Sequence, residues 1–208
     1  MRKDKIRLIT KQGSNVTQRR FAGPLSPAEE EKTKAIIGRL SSSTTDFKNL
    51  ENLRRGVFYP DFEIDSGDFI HNDTLSETYV VSATFPEPYR DQIISHVATL
   101  MKCNHLLAIK SSMKVADNRG NLKTELKETY SHVPCYVEQV TNELRQFDPG
   151  ILPDTEYRIY TTALEVKETD QVLINVRSEG QQFKITARDY VTYPKMLVLQ
   201  VTRDIRTG

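Results

Sequence analysis

Tryptophan is absent from this 208-residue chain, and cysteine occurs only twice, at Cys103 and Cys135. Two thiols so far apart form neither a disulfide framework nor a metal-binding set of the C-x-x-C kind. They are expected as free, buried thiols in a reducing compartment, and a bridge between them would require their backbones to come close. Long apolar runs are missing as well. The longest, Leu106–Ile109 and Met196–Leu199, are strand-sized, whereas a bilayer span needs ~20 residues. No membrane crossing is expected, and the N-terminus has neither the apolar stretch nor the small-residue cleavage site of a secretory signal, so the chain is expected in a cytoplasm. Neither sign of charge dominates: 29 Lys and Arg against 28 Asp and Glu leave a net charge of +1, which removes a global signature of nucleic-acid or membrane binding.

Catalytic signatures are missing too. No dinucleotide-binding or phosphate-binding glycine loop, nucleophile elbow, H-E-x-x-H pair or EF-hand loop occurs. His71, His96, His105 and His132 stand in no ligand spacing. Glu63, Asp65 and Asp68 form a local acidic cluster, but alternating acids near a strand end are more often solvated than metal-bound. The chain is expected to be no enzyme and to carry no metal and no cofactor.

What is present is the composition of a soluble globular protein, 38% hydrophobic and 27% charged, long enough for one large domain or two small ones. Its charge is unevenly placed. Arg2, Lys3, Lys5, Arg7, Lys11, Arg19 and Arg20 face the single acid Asp4 within the first twenty residues. Residues 1–23 therefore read as an extended basic arm, a solvated tail or a segment that docks on an acidic neighbour or on phosphates. Deleting residues 1–20 is expected to weaken assembly and leave the fold intact. Residues 24–56 read as helical. Ser26-Pro27-Ala28-Glu29 has the form of a capping box, Glu29, Glu30 and Glu31 suit the positive end of a helix dipole, and Phe47, Leu50 and Leu53 suggest a second short helix stopped by Gly56.

After Gly56 the apolar period becomes strand-like. Strands are expected near 57–64, 68–72, 78–84, 93–102, 105–115, 122–138, 156–162, 171–176, 182–189 and 196–203. Residues 57–208 then form a barrel-type region, with a division into halves at about 57–110 and 111–208 left open. The clearest hairpin turns at Asp117-Asn118-Arg119-Gly120. A faint internal echo pairs Gly67-Asp68-Phe69-Ile70 and Tyr79-Val80-Val81 with Asp170-Gln171-Val172-Leu173 and Phe183-Lys184-Ile185. The expected class is mainly β: small barrels with a projecting hairpin, plus one or two short N-terminal helices. Tyr190 and Tyr193, near the end of the chain, suit loop anchoring or subunit contact, and stacking on bases is the alternative.

A longer layout runs from Val133-Pro134-Cys135-Tyr136 through Pro149-Gly150 and Tyr157-Arg158-Ile159-Tyr160. It continues through Val166 to Val172 and Gln182-Phe183-Lys184-Ile185 and ends in the apolar strand 197–201 followed by Thr202, Arg203, Asp204 and Arg206. This layout resembles the small β-barrel proteins that close the heads of tailed phages. Upstream, 67–70, 79–81 and Lys102–Leu107 are similar to a region of larger connector proteins of phages infecting Gram-positive hosts. The chain departs from the pattern at Gly180, which is followed by two glutamines, and in its first sixty residues, which have no family counterpart. The resemblance implies a head-closure, or stopper, subunit of a phage neck, assembled in the host cytoplasm and carried in the virion. It would form a homo-oligomeric ring, a dodecamer, between the portal or adaptor and the tail, near packaged double-stranded DNA. The interaction candidates are then the arm, the hairpin turn at 117–120, and Tyr190 and Tyr193. Two alternatives stay open: a tail-completion or terminator protein, and an OB-like single-stranded nucleic-acid-binding protein.

Overall fold

The computed structural model describes residues 1–21, 29–40, 52–116, 122–176, 179–193 and 195–204. Two short helices accompany twelve strands: α1 (Arg2–Gln12), β1 (Ser14–Arg20), β2 (Glu29–Arg39), β3 (Leu53–Phe58), β4 (Phe69–Asn72), β5 (Glu77–Tyr89), β6 (Gln92–Lys102), β7 (His105–Ala116), β8 (Leu122–Gln139), α2 (Asn142–Phe147), β9 (Tyr157–Thr162), β10 (Gln171–Val176), β11 (Glu179–Asp189) and β12 (Met196–Arg203). The strands close into two six-stranded antiparallel barrels, in the orders β1-β2-β3-β6-β5-β4 and β10-β11-β12-β9-β8-β7. Read in opposite directions these orders are the same, so β1 to β6 correspond one by one to β7 to β12. Closure removes the unpaired sheet edges that an open arrangement would expose.

The correspondence extends to detail. Phe62, Ile64, Asp68 and Ile70 have the same spacing as Leu164, Val166, Asp170 and Val172, and all eight are buried. Each aspartate closes the turn before its strand in the same way. Asp68 Oδ2 accepts from Asp65 N at 2.9 Å while Asp68 N donates to Asp65 O at 3.2 Å. Asp170 Oδ2 accepts from Lys167 N at 2.8 Å while Asp170 N donates to Lys167 O at 3.1 Å. The following strand pairs carry the same irregularity, with register shifts at Val81/Ala83 and at Ile185/Ala187. The echo in the sequence thus falls on equivalent strands of two like barrels.

The first barrel is built from Ser14 to Lys102 and the second from His105 to Arg203, so the boundary lies earlier than a division at 110 and the first barrel reaches far above residue 57. Only Cys103 and Asn104 join them, and both are held. Cys103 N donates to Thr78 O at 2.8 Å. Asn104 uses its side-chain amide as a strand residue would use its backbone, accepting from Val137 N at 2.8 Å and donating to Val137 O at 2.9 Å. Phe69 and Val80 of the first barrel belong to the same apolar cluster as the core of the second, and Phe21 meets Phe69 edge to face at 5.6 Å. Gly67, at φ +88°, lies so close to the second barrel that an added Cβ would stand 2.0 Å from the Lys195 carbonyl oxygen. Cys103 and Cys135 are free thiols, and burial raises both, Cys103 to about 12.

Four expectations for the first third are corrected. Residues 2–12 and 14–20 are a helix and a barrel strand, so the basic segment is no extended arm. Ile9 is fully buried, and Gly13 has no room for a Cβ against the Ile9 carbonyl. Removing residues 1–20 would take β1 out of a closed barrel and leave β2 and β4 with free edges, contrary to the expectation that the fold would survive. Glu29–Arg39 is a strand and no helix. Its glutamates face β1 across the ladder, Glu30 beside Arg19 and Glu29 beside Arg20, so cross-strand charge pairing outweighs the helical propensity of a Glu-rich run. Leu53–Phe58 is also a strand, and Gly56 sits inside it because a Cβ would come within 2.6 Å of the Phe58 ring. The capping box at Ser26-Pro27 and the helical positions Phe47 and Leu50 lie outside the described residues.

Phe183 in β11 is buried and meets Tyr157 edge to face at 5.5 Å. Phe183→Ala is expected to lower stability by about 3–5 kcal/mol through lost transfer energy and a residual cavity. Urea denaturation followed by circular dichroism measures this, and a change within about 0.5 kcal/mol would contradict the placement.

Candidate interaction surfaces

Strand length separates β7 and β8 from their neighbours. Within the barrel, β7 pairs with β10 only from Leu107 to Lys110, and β8 pairs with β9 only from Tyr136 to Gln139. The remaining ladder, from Ser111↔Lys127 to Ala116↔Leu122, is a ribbon in which each strand has only the other. Alternation puts Leu126 and Leu122 on one face and Met113 and Val115 on the other, and all four are exposed. A two-stranded ribbon gains little stability by itself in water, and these apolar side chains have no cover among the described residues. The tip, Asp117-Asn118-Arg119-Gly120, lies outside the described residues. The β5–β6 hairpin also extends past the strands beside it, exposing Phe85, Tyr89 and Ile93.

The basic candidates divide into two groups. Four are engaged within the first barrel: Arg2 with Asp61 at 2.5 Å, Lys5 with Glu87 at 2.8 Å, Arg19 with Glu30 at 2.8 Å, and Arg20 with Asp68 at 3.4 Å. These contacts tie α1 and β1 down. Lys3, Arg7 and Lys11 are exposed and recur every fourth residue, so they form one stripe along α1. Sequence reading grouped all seven together because it could not see that β1 and α1 turn different residues inward.

Tyr190 and Tyr193 are anchors. The Tyr190 hydroxyl donates to Leu164 O at 2.9 Å and accepts from Val166 N at 3.3 Å, holding the segment before β10. Tyr193 lies edge to face with Tyr160 at 6.1 Å. The acidic cluster is likewise answered from inside the protein. Gln18 Nε2 and Arg20 Nε approach Asp68, Lys195 Nζ lies 2.6 Å from Asp65, and Arg20 lies 3.9 Å from Glu63. Burial raises the Asp68 carboxyl, opposed by the Asp65 amide, Gln18 and Arg20. Among the described residues, no group of three or more His, Cys, Asp or Glu side chains is placed to hold a metal ion. Among the described residues, one cavity of about 410 Å³ lies between the ribbon's base and the segment 165–170, and another of about 500 Å³ lies beside Lys32, Lys34 and Asp73.

Two glutamates brace the first barrel. Hydrogen bonds from Lys102 and Tyr79 hold Glu77 below the ordinary carboxylate range, and Lys5 and Ser95 do the same for Glu87. No helix among the described residues is long and apolar enough to cross a membrane. No protein-family model and no curated protein matches the chain.

A carboxylate whose folded pKa is depressed contributes stability above its unfolded value of about 4.3, and that contribution is lost as pH falls through the folded value. Glu87→Gln is therefore expected to lower the melting temperature at neutral pH, with the gap from the wild type narrowing below about pH 5. Thermal melts across pH test this, and a gap that widens on acidification would contradict it.

Proposed function

We propose that this chain is a non-enzymatic assembly subunit, the head-closure type of protein in the neck of a tailed phage, working as one copy in a ring that joins portal or adaptor to tail and retains packaged DNA. The observation that carries the assembly reading is the ribbon of residues 111–116 and 122–127, whose exposed Met113, Val115, Leu122 and Leu126 have no cover among the described residues. A neighbouring copy would supply that cover. Contacts of this kind, between unlike faces of identical subunits, generate rings when their rotation closes. Closed barrels suit the role, because they leave association to the overhanging hairpins and no long sheet edge to pair out of register.

The phage assignment rests on the layout resemblance of the stretch from Val133 onward to small head-closing barrels and of residues 67–107 to larger connectors, together about residues 64–206. The tandem of two like barrels is compatible with the larger connectors. A stopper and a tail-completion protein share this architecture, and they differ in what accumulates when the chain is missing: tailless heads that lose their DNA for the first, defective tails for the second. The stripe Lys3, Arg7 and Lys11 favours a polyanionic neighbour on that face of α1, and packaged double-stranded DNA or an acidic subunit surface would both satisfy it.

Replacing residues 113–125 with an Asn-Gly turn should leave both barrels folded and remove self-association. Sedimentation velocity reads the outcome, with far-ultraviolet circular dichroism and thermal melts as the folding control. A wild-type chain that stays monomeric at high concentration, or a shortened variant that assembles as the wild type does, would contradict the proposal.

A further inference from the structure

The two barrels treat their equivalent aspartates differently. In the first, the β1–β4 register continues from Arg19↔Phe69 to place Arg20 opposite Asp68. Arg20 reaches two acceptors at once, with Nε 3.4 Å from Asp68 Oδ2 and Nη2 donating to Glu63 O at 2.8 Å. Gln18, two residues earlier, donates to the same carboxylate at 2.5 Å. In the second barrel, the β7–β10 register continues from Lys110↔Gln171 to place Ser111 opposite Asp170, and Ile109 stands where Gln18 stands in the first. Both side-chain donors are gone, yet the acid remains. Asp170 is only 4% exposed, and its Oδ1 has no hydrogen-bond partner among the described residues.

Space opens where the arginine is missing. The cavity of about 410 Å³ is lined by Asp170 and Glu165 together with Ser111, Thr129, Tyr130 and Tyr190. Its ionisable wall consists of these two carboxylates and the ammonium of Lys167, whose backbone amide already serves Asp170 Oδ2. Among the described residues the Asp170 carboxylate keeps one hydrogen-bond donor, the Lys167 amide, where the Asp68 carboxylate has the Asp65 amide, Gln18 and Arg20, and a buried carboxylate so poorly served is a group in need of a donor.

We propose that this cavity receives a guanidinium group, an arginine side chain from another protein chain, in the position that Arg20 fills from within the first barrel. A guanidinium fits better than an ammonium. Its planar fork can serve a carboxylate and a nearby carbonyl together, as Arg20 does with Asp68 and Glu63, and Asp170 and Glu165 are the equivalent acceptors. Tyr130 and Tyr190 stand in the same wall, and an aromatic neighbour favours a guanidinium over an ammonium. The cavity lies at the base of the projecting ribbon, where Ser111 and Thr129 belong to β7 and β8, so a chain that covers the ribbon passes beside it. The site is independent of the phage reading, because it follows from the comparison of the two barrels and requires only a protein partner.

The test uses the full chain and N-acetyl-arginine amide, a capped residue that mimics the side chain, followed by amide chemical-shift perturbation. Saturable shifts at Ser111, Thr129 and Lys167 through Asp170 are expected, and Asp170→Asn should weaken binding at least about tenfold by removing the charge from the acceptor. Ser111→Arg recreates the first barrel's own solution, so it should fold, raise the melting temperature and abolish the shifts. The absence of saturable shifts in the wild type, equal binding by Asp170→Asn, or unaltered binding by Ser111→Arg would overturn the proposal. Tighter binding of free arginine than of the capped residue would make this a small-molecule site and overturn the assignment to a protein side chain.

Discussion

Each barrel depends on one short closing ladder. Four residue pairs join β1 to β4, and four join β7 to β10. Without them each sheet would keep two free edges, and every backbone group on those edges would need water or another chain. The strands that close, β4 and β10, are launched by the aspartate turns at 65–68 and 167–170. In these turns a carboxylate and a backbone amide of one residue satisfy both polar groups of the residue three positions before it. This local device fixes where the strand begins, and with it the register of the closing ladder. The burial of Ile70 and Val172 in the two cores follows from that register.

The same constraint explains how the two barrels differ. A buried aspartate is tolerable only with donors around it. The first barrel supplies them from β1 through Gln18 and Arg20, which also binds the N-terminal strand into the wall. In the second, β7 is given over at this level to Ile109, which joins the core, and to Ser111, where the strand leaves the wall to become the ribbon. One barrel has turned its closing strand into an internal brace. The other has extended its closing strand outward and left the acid beside an open cavity.

The second barrel and the later strands of the first were legible because period-two alternation and turn residues agreed with each other from β4 to β12. Tyr79, Val81, Phe183 and Ile185 alternate inward, and glycine or aspartate marks the turns between strands. The first third was misread for identifiable reasons. The outer half of β2 is exposed from Glu29 to Lys32, so its residues show no alternation, and a run of glutamates after a proline carries the local signs of a helix start. Only pairing with β1 and β3, distant information that local propensity does not hold, makes it a strand. The first helix has a single fully buried residue, Ile9, too few to give an apolar stripe. Among the candidate residues, the partition of the basic set into bracing and outward-facing members required the register of β1. The cavity at Asp170 required more, since aligning Phe62–Ile70 with Leu164–Val172 reveals the repeated aspartate, but only strand pairing shows that one copy lacks its arginine.

The molecule is, as proposed, a paired-barrel building block whose ribbon is completed by a neighbour. Electron-microscopy class averages of the purified full-length chain test that claim most directly. Closed rings of identical particles, with the ribbon at the contact between adjacent copies, are the result it requires. A field of isolated two-lobed particles at every concentration examined would contradict it.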